Sequence, residues 1–560
     1  MNIYSNNDIN LLKRLSESLI ESEDCHNYPN DFINFINKES QDDYLMLHLS
    51  INHLFLNSIL FDNINTNSQN IQELKKWRGS STNKWSYDCS EYESELKILS
   101  PMEQYGSEIF CNGEPIFFLR ELNGYVGCEH YYEINQKILQ ILDLHYIYEE
   151  NAWCKFDELG DLDKVIQTQK IPYNDSFIYI LLIKKKELEK YCTITNQNII
   201  RMFDVTFLCD NFEYWNHKNF KNQEILENQI YGTLTIDDNN GSFLRGIQII
   251  SPTLTVGEII DEKWGNIPKQ YVDLIVNDIK YKKVHTISCD PNKLDNYFVD
   301  TGKPLNMSIA FFKPEVLRKY KSDTEKYTIQ NRQISCRDIW YLKAFDINDN
   351  QQISVYLVDF NKLPYQEQLH WKQYNEEPKG FISKRAIQND FLGEFSDDIR
   401  LEEKLKIVLQ KLQKQNCFWW TLRSESNLLK LHTPLTNSAD EWADELLNLD
   451  QLIVEGFQEK ELKRYCTQHN IKFKNSERSL RLLRQILIHK GFDDEQADEV
   501  MSPLYEVHNL RSEQKGHSSG ETALNTRKKI RKDYGNFSNH YNHLLAGIIE
   551  TLQILEDELI

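Results

Sequence analysis

The feature that most constrains this chain is a change in hydrophobic periodicity near residue 396. Beyond that point the strand signals stop, and apolar residues recur at spacings of three and four positions. Polar start signals stand at 437–441 and 476–479. The spacing predicts six helices, at residues 399–415, 438–457, 459–468, 477–490, 493–514 and 536–558. We therefore expect residues 396–560 to form an all-α bundle.

The first 395 residues carry both helical and strand signals. Helical spacing is present in residues 10–20 and from Tyr44 to Leu60. Turn residues between apolar runs predict three hairpins, within residues 107–120, 232–250 and 340–360. Helices and strands do not alternate as βαβ units would. The predicted fold class is therefore α+β multidomain, with a mixed α/β N-terminal region followed by an all-α helical bundle.

These signals also divide the chain. We predict a mixed α+β N-terminal region at residues 1–228 and a β-rich middle region at 229–395 that senses or binds a ligand. The all-α bundle follows at 396–560. A chain of 560 residues is long enough for three such domains, each with its own core.

Charge and composition limit what the chain can bind. It has 64 Lys and Arg against 85 Asp and Glu, a net charge of −21 at pH 7. Such a chain cannot coat nucleic acid generally, so a polynucleotide must meet a local basic patch. The 11 cysteines are scattered, without zinc-like spacing, and the most apolar run covers only 177–183. We therefore expect a reduced, cytoplasmic protein with no membrane span, no metal and no cofactor.

Several catalytic signatures are absent from the sequence. It contains no Walker-type Gly-rich loop, no Gly-x-Gly-x-x-Gly, no Gly-x-Ser-x-Gly and no His-Glu-x-x-His. Motor ATPases, dinucleotide enzymes, α/β-hydrolases and zincin proteases are therefore disfavoured.

An arginine and a histidine separated by five residues stand near the end of a predicted helix. Polar residues join Arg511 to His517, and Gly516 is suited to ending the helix between them. A histidine can take the proton of a ribose 2′-hydroxyl or return one to the leaving oxygen. An arginine can hold the scissile phosphate. Such a pair can cleave RNA without a metal.

Two other Arg–His pairs have similar spacing but a different setting. Arg484 and His489 flank Ile-Leu-Ile on an amphipathic helix, and Arg464 and His469 close a short charged helix. We interpret the first pair as the polar border of a core face and the second as charges that suit a helix C-terminus.

A run of positive charges follows the Arg511–His517 pair. We interpret four of its residues as an RNA-binding cluster that contacts phosphates: Lys528, Lys529, Arg531 and Lys532. The alternative interpretation is a solvated helix face.

The stretch Leu504-Tyr-Glu-Val-His-Asn-Leu-Arg-Ser-Glu-Gln-Lys-Gly-His-Ser-Ser-Gly520 resembles the motif region of the HEPN superfamily (higher-eukaryote and prokaryote nucleotide-binding domains). A looser similarity extends over residues 430–560. Members are α-helical, and many are ribonucleases with an Arg-x(4–6)-His signature. The resemblance implies that Arg511 and His517 are catalytic. The family often has Asn, Asp or His after its arginine; Ser512 stands there in this chain, and we assign Ser512 and the nearby Asn509 as supporting residues.

The resemblance also implies an assembly and a biological role. In the superfamily the two motifs of a dimer usually form one composite site, and cleavage needs no metal. We therefore expect RNA as the substrate and a homodimer formed through the C-terminal helical domain. Many members are toxins or abortive-infection effectors, which implies an anti-phage defence role and a phage-derived or nucleic-acid trigger at the N-terminal region.

The leading prediction is thus a metal-independent endoribonuclease effector, a hydrolase of RNA phosphodiester bonds. The alternative is a non-catalytic HEPN-like protein for dimerisation or partner binding, in which Arg511 and His517 make a structural contact. A third interpretation places the activity in residues 1–395. Six residues there are candidates for lining a ligand groove: Arg120, Tyr125, His130, Trp371, Lys384 and Arg385.

Overall fold

The computed structural model describes residues 3–17, 28–51, 54–63, 68–78, 83–89, 96–121, 130–174, 176–208, 221–237, 241–330, 332–394, 399–434, 438–516 and 521–559. The chain divides into two compact units. The first contains residues 1–157 and 162–268, and the second contains residues 158–161 and 269–560.

The first unit is built mainly of strands. Its helices are α1 (Asn6–Leu15), α2 (Tyr28–Glu39), α3 (Ser68–Lys75), α4 (Gln136–Ile141), α5 (Lys185–Thr195) and α6 (Val256–Trp264). Its strands are β1 (Tyr44–Ile51), β2 (Leu54–Asp62), β3 (Ser86–Cys89), β4 (Leu96–Leu99), β5 (Gly113–Pro115), β6 (Phe117–Arg120), β7 (Tyr131–Ile134), β8 (His145–Ile147), β9 (Ala152–Phe156), β10 (Leu162–Tyr173), β11 (Ser176–Lys184), β12 (Gln197–Leu208), β13 (Lys221–Glu227), β14 (Ile230–Asp237) and β15 (Gly241–Ile250).

One large antiparallel sheet dominates this unit. Its strands lie in the order β13-β14-β15-β12-β2-β1-β11-β10-β9-β8, and β5 pairs with β2. Residues of α1 and α2 join the core on one face of the sheet. Residues of β6, β7, α4 and α5 join the core on the other face.

The helix expected between Tyr44 and Leu60 is wrong, because this segment forms β1 and β2 at the centre of the sheet. Leu45 and Leu47 of β1 belong to the core on one face, and Met46 and Leu49 belong to the core on the other. A strand with both faces buried needs apolar side chains at nearly every position, which erases the alternation that marks a half-exposed strand.

The three predicted hairpins had different outcomes. The one at 232–250 is confirmed as the antiparallel pair β14–β15. The one at 107–120 is wrong, because β5 pairs with β2, which comes earlier in the chain, and β6 pairs with β7, which comes later.

The predicted division at 228/229 falls within a β-hairpin of the first unit. Asn228 and Gln229 form the turn between β13 and β14, whose backbones pair along their whole length. The compact unit that contains this hairpin extends to residue 268.

The second unit combines short strands with a long run of helices. Its strands are β16 (Asp273–Asp278), β17 (Lys283–Ser288), β18 (Ile309–Phe312), β19 (Tyr327–Gln330), β20 (Gln333–Cys336), β21 (Trp340–Leu342), β22 (Asp346–Ile347), β23 (Ile353–Tyr356) and β24 (Asn375–Glu376). Its helices are α7 (Arg318–Ser322), α8 (Leu357–Phe360), α9 (Tyr365–Lys372), α10 (Lys384–Ile387), α11 (Leu401–Lys414), α12 (Glu425–Leu429), α13 (Ala439–Ile453), α14 (Glu459–Gln468), α15 (Ser479–His489), α16 (Asp494–Gly516), α17 (Glu521–Tyr534) and α18 (Phe537–Leu559).

The hairpin expected at 340–360 is shorter than predicted. It is formed by β22 and β23, while β21 pairs with β20 and the chain turns into α8 after Tyr356. The strands of this region enclose one core, and the helices from α11 onward enclose another.

The six helices expected beyond residue 396 are present as α11, α13, α14, α15, α16 and α18. The predicted fold class, α+β with a C-terminal helical bundle, is therefore confirmed. Among the residues that the structure describes, no helix is both long enough and apolar enough to cross a membrane.

Candidate functional site

Helix α16 carries Arg511, Asn509 and Ser512 of the predicted site. It begins with reciprocal hydrogen bonds, because Gln496 N donates to Asp493 Oδ1 (2.8 Å) and Asp493 N donates to Gln496 Oε1 (3.0 Å). Leu504 and Val507 are buried on its inner face, where it packs against α13, α15 and α18. This packing fixes the direction in which the last two turns of α16 present their side chains.

A buried carboxylate lies beside Arg511. Asp450 of α13 is 1% exposed, and its Oδ1 lies 3.0 Å from Nδ1 of His508. Its Oδ2 lies 3.6 Å from Nε of Arg511. His508 and Arg511 are three residues apart on one helix, so they stand about 60° apart around its axis. The structure therefore brings together a carboxylate, an imidazole and a guanidinium, which we call the Asp450 cluster.

The outer groups of this cluster reach solvent. The side chains of His508 and Arg511 are 48% and 35% exposed. When His508 Nδ1 carries its proton, it donates to Asp450, and Nε2 is left with a lone pair that can take up a proton. The guanidinium of Arg511 can bind an oxyanion while the carboxylate orients it. The cluster can therefore bind a phosphate and move a proton beside it.

The remaining residues of the predicted motif are Asn509, Ser512 and His517. Gly516 is the last described residue of α16, and His517 lies outside the described residues. Asn509 and Ser512 are both exposed. Asn509 stands about 160° around the helix from Arg511, and Ser512 about 100°. The side chains of Asn509 and Arg511 therefore leave nearly opposite sides of α16, and the assignment of Asn509 as a supporting residue stays a prediction.

Four exposed cations lie on α17, and we call them the α17 basic cluster: Lys528, Lys529, Arg531 and Lys532. Ile530, in the middle of this segment, is buried and marks the inner side of the helix. Lys528 and Lys532 therefore face outward, and Lys529 and Arg531 lie on the two flanks. The Arg531 guanidinium carbon lies 4.9 Å from the ring centroid of Phe537, so this cation also contributes to packing.

A hydrogen bond connects α17 to the end of α16. Arg527 Nε donates to Oε1 of Gln514, a residue that is 1% exposed and lies one turn beyond Arg511. The helix that bears the cations is therefore anchored next to the Asp450 cluster.

A second polar cluster occupies another face of α16. His540 Nε2 lies 3.2 Å from Glu506 Oε1, and His540 is fully buried. The hydrogen bond from His540, with the charges of His543 and Lys529, lowers the pKa of Glu506 against the opposing effect of burial. Glu506 stands about 140° from Arg511 around the helix, so this cluster does not join the Asp450 cluster.

The groove candidates outside the bundle are divided between the two units. In the first unit, Arg120 pairs with Glu133 at 3.3 Å and His130 stacks on Tyr179, while Tyr125 lies outside the described residues.

In the second unit, Trp371 is fully buried and donates from Nε1 to Tyr320 Oη. Arg385 pairs with the buried Asp346. Trp371 and Arg385 are therefore structural residues, and their assignment to a ligand groove is wrong.

Sequence reasoning missed the two residues that complete the Asp450 cluster. His508 could have been found, because it lies three residues before Arg511 on a predicted helix. Asp450 could not, because it is 58 residues away from His508 in the chain and meets it only through the packing of α13 on α16.

Comparison with protein-family models, with curated proteins and with solved structures found no match to this chain. Within the described ranges, no group of three or more His, Cys, Asp or Glu side chains is arranged to hold a metal ion.

Proposed function

We propose that the protein is a metal-independent endoribonuclease whose active site lies at the C-terminal end of α16. The observation that carries the proposal is the Asp450 cluster, in which a buried carboxylate contacts both His508 and Arg511 directly before the position of His517. A carboxylate, a histidine and an arginine are the groups that phosphodiester transfer needs when no metal supplies the charge.

In the proposed reaction, the RNA 2′-hydroxyl loses its proton to a histidine and its oxygen attacks the adjacent phosphorus. The phosphorus–5′-oxygen bond breaks, and the 5′-oxygen leaves with a proton from an acid group. Arg511 binds the phosphate and stabilises the charge that develops on its oxygens. The products are a 2′,3′-cyclic phosphate and a 5′-hydroxyl end.

Two histidines can divide the acid and base roles. His517 follows the helix end directly, and His508 is held by Asp450 with its Nε2 directed away from that carboxylate. Separate groups on the attacking and leaving oxygens serve in-line cleavage better than one group. His508 therefore offers a second proton-transfer group within one chain.

We propose that the active form is a homodimer through the C-terminal helices. A two-fold interface presents the same patch from both chains, so two Asp450 clusters would face one RNA. Sedimentation of the purified chain tests this, because a monomer with full activity at nanomolar concentration contradicts it.

The α17 basic cluster supplies the phosphate contacts of this proposal. It lies on a helix anchored to α16 through Arg527 and Gln514, in a chain with a net charge of −21. RNA approaching an acidic protein needs such a local concentration of positive charge.

We further propose a role as a toxic effector in anti-phage defence, acting in the cytoplasm. The first 395 residues would respond to a phage-derived or nucleic-acid trigger. This part of the proposal rests on the resemblance of residues 504–520 to the HEPN motif region.

One contact favours the second candidate, a non-catalytic dimerisation or partner-binding protein. Arg511 lies within ion-pair distance of the buried Asp450, so its guanidinium also has a structural role in joining α16 to α13. In that case Arg511 and His508 compensate a buried charge and bind no RNA.

Expression of the intact chain in a bacterial host separates the two candidates. We expect the wild type to arrest growth and to leave new RNA ends, and the double variant Arg511→Ala/His517→Ala to do neither. The matched control is Arg464→Ala/His469→Ala, an Arg–His pair of similar spacing on α14 and its end. Equal toxicity of the wild type and the Arg511→Ala/His517→Ala variant would contradict the ribonuclease proposal.

A further inference from the structure

A cavity of about 360 Å³ opens on the large sheet of the first unit. Its floor is made by strands β8 to β11, which are neighbours at one end of that sheet. Ligand pockets in proteins start at about 300 Å³, so the cavity can hold a small molecule. It lies outside the Asp450 cluster and does not depend on the proposed nuclease activity.

The strand register places an aromatic, a hydroxyl and a cationic side chain in succession along β10. Trp153 of β9 is paired with Ile166, and Tyr179 of β11 is paired with Lys170. Thr168 lies between these two levels on the same face. The levels of Trp153 and Lys170 are four residues apart on β10, or about 13 Å.

Aromatic rings occupy one end of this line. The rings of Tyr146 and Trp153 have centroids 5.0 Å apart, and Tyr146 is 47% exposed. Trp153 is only 9% exposed and its ring is tilted by 58° from that of Tyr146, so the exposed face of Tyr146 is the surface on which a heteroaromatic base can stack.

Polar groups follow at the middle of the line. Tyr146 Oη donates to Asn151 Oδ1 (2.8 Å), and Asn151 Nδ2 donates to Thr168 Oγ1 (2.8 Å). Because the Thr168 oxygen accepts from Asn151, its own hydrogen is directed to a second partner. The chain of bonds also holds the Tyr146 ring in place.

A lysine and two stacked rings occupy the other end. Lys170 Nζ lies 5.5 Å from the ring centroid of Tyr179, and the ring of His130 stacks on Tyr179 with centroids 5.7 Å apart. Glu121 Oε1 lies 3.6 Å from His130 Nδ1. Among the described residues, no carboxylate lines the cavity, although the chain carries 85 of them.

These features exclude several classes of ligand. Lys170 lies near the Tyr179 ring, so a quaternary ammonium ligand would meet a like charge at the ring that should bind it. An aromatic carboxylate is too short to join the Trp153 end to the Lys170 end. A nucleotide fits, because its sugar separates a planar base from an anionic phosphate.

We propose that this cavity binds a ribonucleoside monophosphate. The base stacks on Tyr146, the sugar lies over Thr168, and the phosphate binds Lys170.

Calorimetric titration of the purified full chain with AMP, GMP, CMP and UMP tests the proposal, with the nucleoside of the tightest binder as a comparison. Lys170→Gln should weaken the nucleotide about tenfold and leave the nucleoside within about twofold, since only the nucleotide has a charged group to lose. Tyr146→Ala should weaken both about tenfold, because a base stack contributes to both.

Two control variants match these changes. Tyr148→Ala removes an exposed tyrosine outside the cavity, and Lys38→Gln removes an exposed lysine of α2. Both should bind as the wild type does. Circular dichroism checks that each variant is folded. We expect Tyr146→Ala to fold, because the Tyr146 side chain is 47% exposed.

The proposal is overturned if none of the four nucleotides binds at about 5 mM, the weak end of specific recognition. It is equally overturned if binding is unchanged by both Lys170→Gln and Tyr146→Ala, which would place the nucleotide elsewhere, such as the Asp450 cluster.

Discussion

Asp450→Asn keeps the shape of the side chain at the centre of the Asp450 cluster and removes its charge. The carboxylate is 1% exposed and lies 3.0 Å from His508 Nδ1, so solvent cannot replace the lost interaction. A hydrogen bond to a charged group contributes about 1.5–3 kcal/mol and a neutral one about 0.5–1.5 kcal/mol. The difference of about 1–2 kcal/mol corresponds to a fall in kcat of about 5- to 30-fold.

The assay is cleavage of a fluorescently labelled RNA in EDTA, with kcat and KM measured separately. Because Asp450 orients groups and does not touch RNA in this account, KM should stay within about twofold. The same change made in a His508→Ala background should cost much less, since Asp450 then has no histidine to orient. Asp440→Asn, an exposed position on the same helix, is the control and should leave both constants unchanged.

Two results would refute this reasoning. One is an unchanged kcat in Asp450→Asn. The other is the same loss of kcat in the presence and absence of His508, which would show that Asp450 acts only on the stability of the helix pair α13–α16.

Three further predictions address binding, pH dependence and packing. Neutralising the α17 basic cluster should lower RNA affinity, and the slope of log affinity against log salt concentration should flatten by about 0.7 per lost phosphate contact. Fluorescence anisotropy over a salt series measures both, and an unchanged slope would show that the cluster is only a solvated helix face. Burial raises the pKa of Glu445 from 4.5 to about 7, against the opposing charge of Lys321, so the folded state holds a proton that the unfolded state loses. The free energy of unfolding should therefore fall by up to about 3 kcal/mol as pH rises from about 4.5 to 7. Urea denaturation at these two pH values measures the fall, and Glu445→Gln should remove most of it. Gly246→Ala should destabilise the first unit by about 1–3 kcal/mol, because its Cβ would lie 2.6 Å from Tyr231 O. Gly257→Ala on α6 should stabilise the unit by up to about 1 kcal/mol, because the new Cβ would come no closer than 3.9 Å to Thr255 Oγ1. Equal urea midpoints of the two variants would contradict this prediction.

The helical bundle could be predicted from sequence because each helix buries one stripe. In α13, Trp442, Leu446, Leu449 and Ile453 follow the spacing of three and four residues and are all buried. Amphipathic periodicity is a local property, so it survives without knowledge of the partners.

The centre of the large sheet could not be predicted in the same way. Leu45 to Leu49 supply two cores at once, and the resulting apolar run has no period that separates strand from helix. The pairing of β5 with β2 was hidden for a related reason, since strand partners far apart in the chain leave no local signal.

The candidate site shows the same limit. Arg511 could be selected from residue types and spacing, whereas Asp450 enters the candidate site only because α13 packs on α16. Residue types do not give direction either: Asn509 is polar and close in sequence to Arg511, but it stands about 160° from Arg511 around the helix.

The most direct test of the central claim is the chemistry of the ends that the purified full chain leaves on RNA in the presence of EDTA. Mass spectrometry should find 2′,3′-cyclic phosphate and 5′-hydroxyl ends, because the 2′-oxygen is the proposed nucleophile. Arg511→Ala and His517→Ala should each abolish these products while RNA still binds. An absolute requirement for added magnesium, with 5′-phosphate products, would contradict the account.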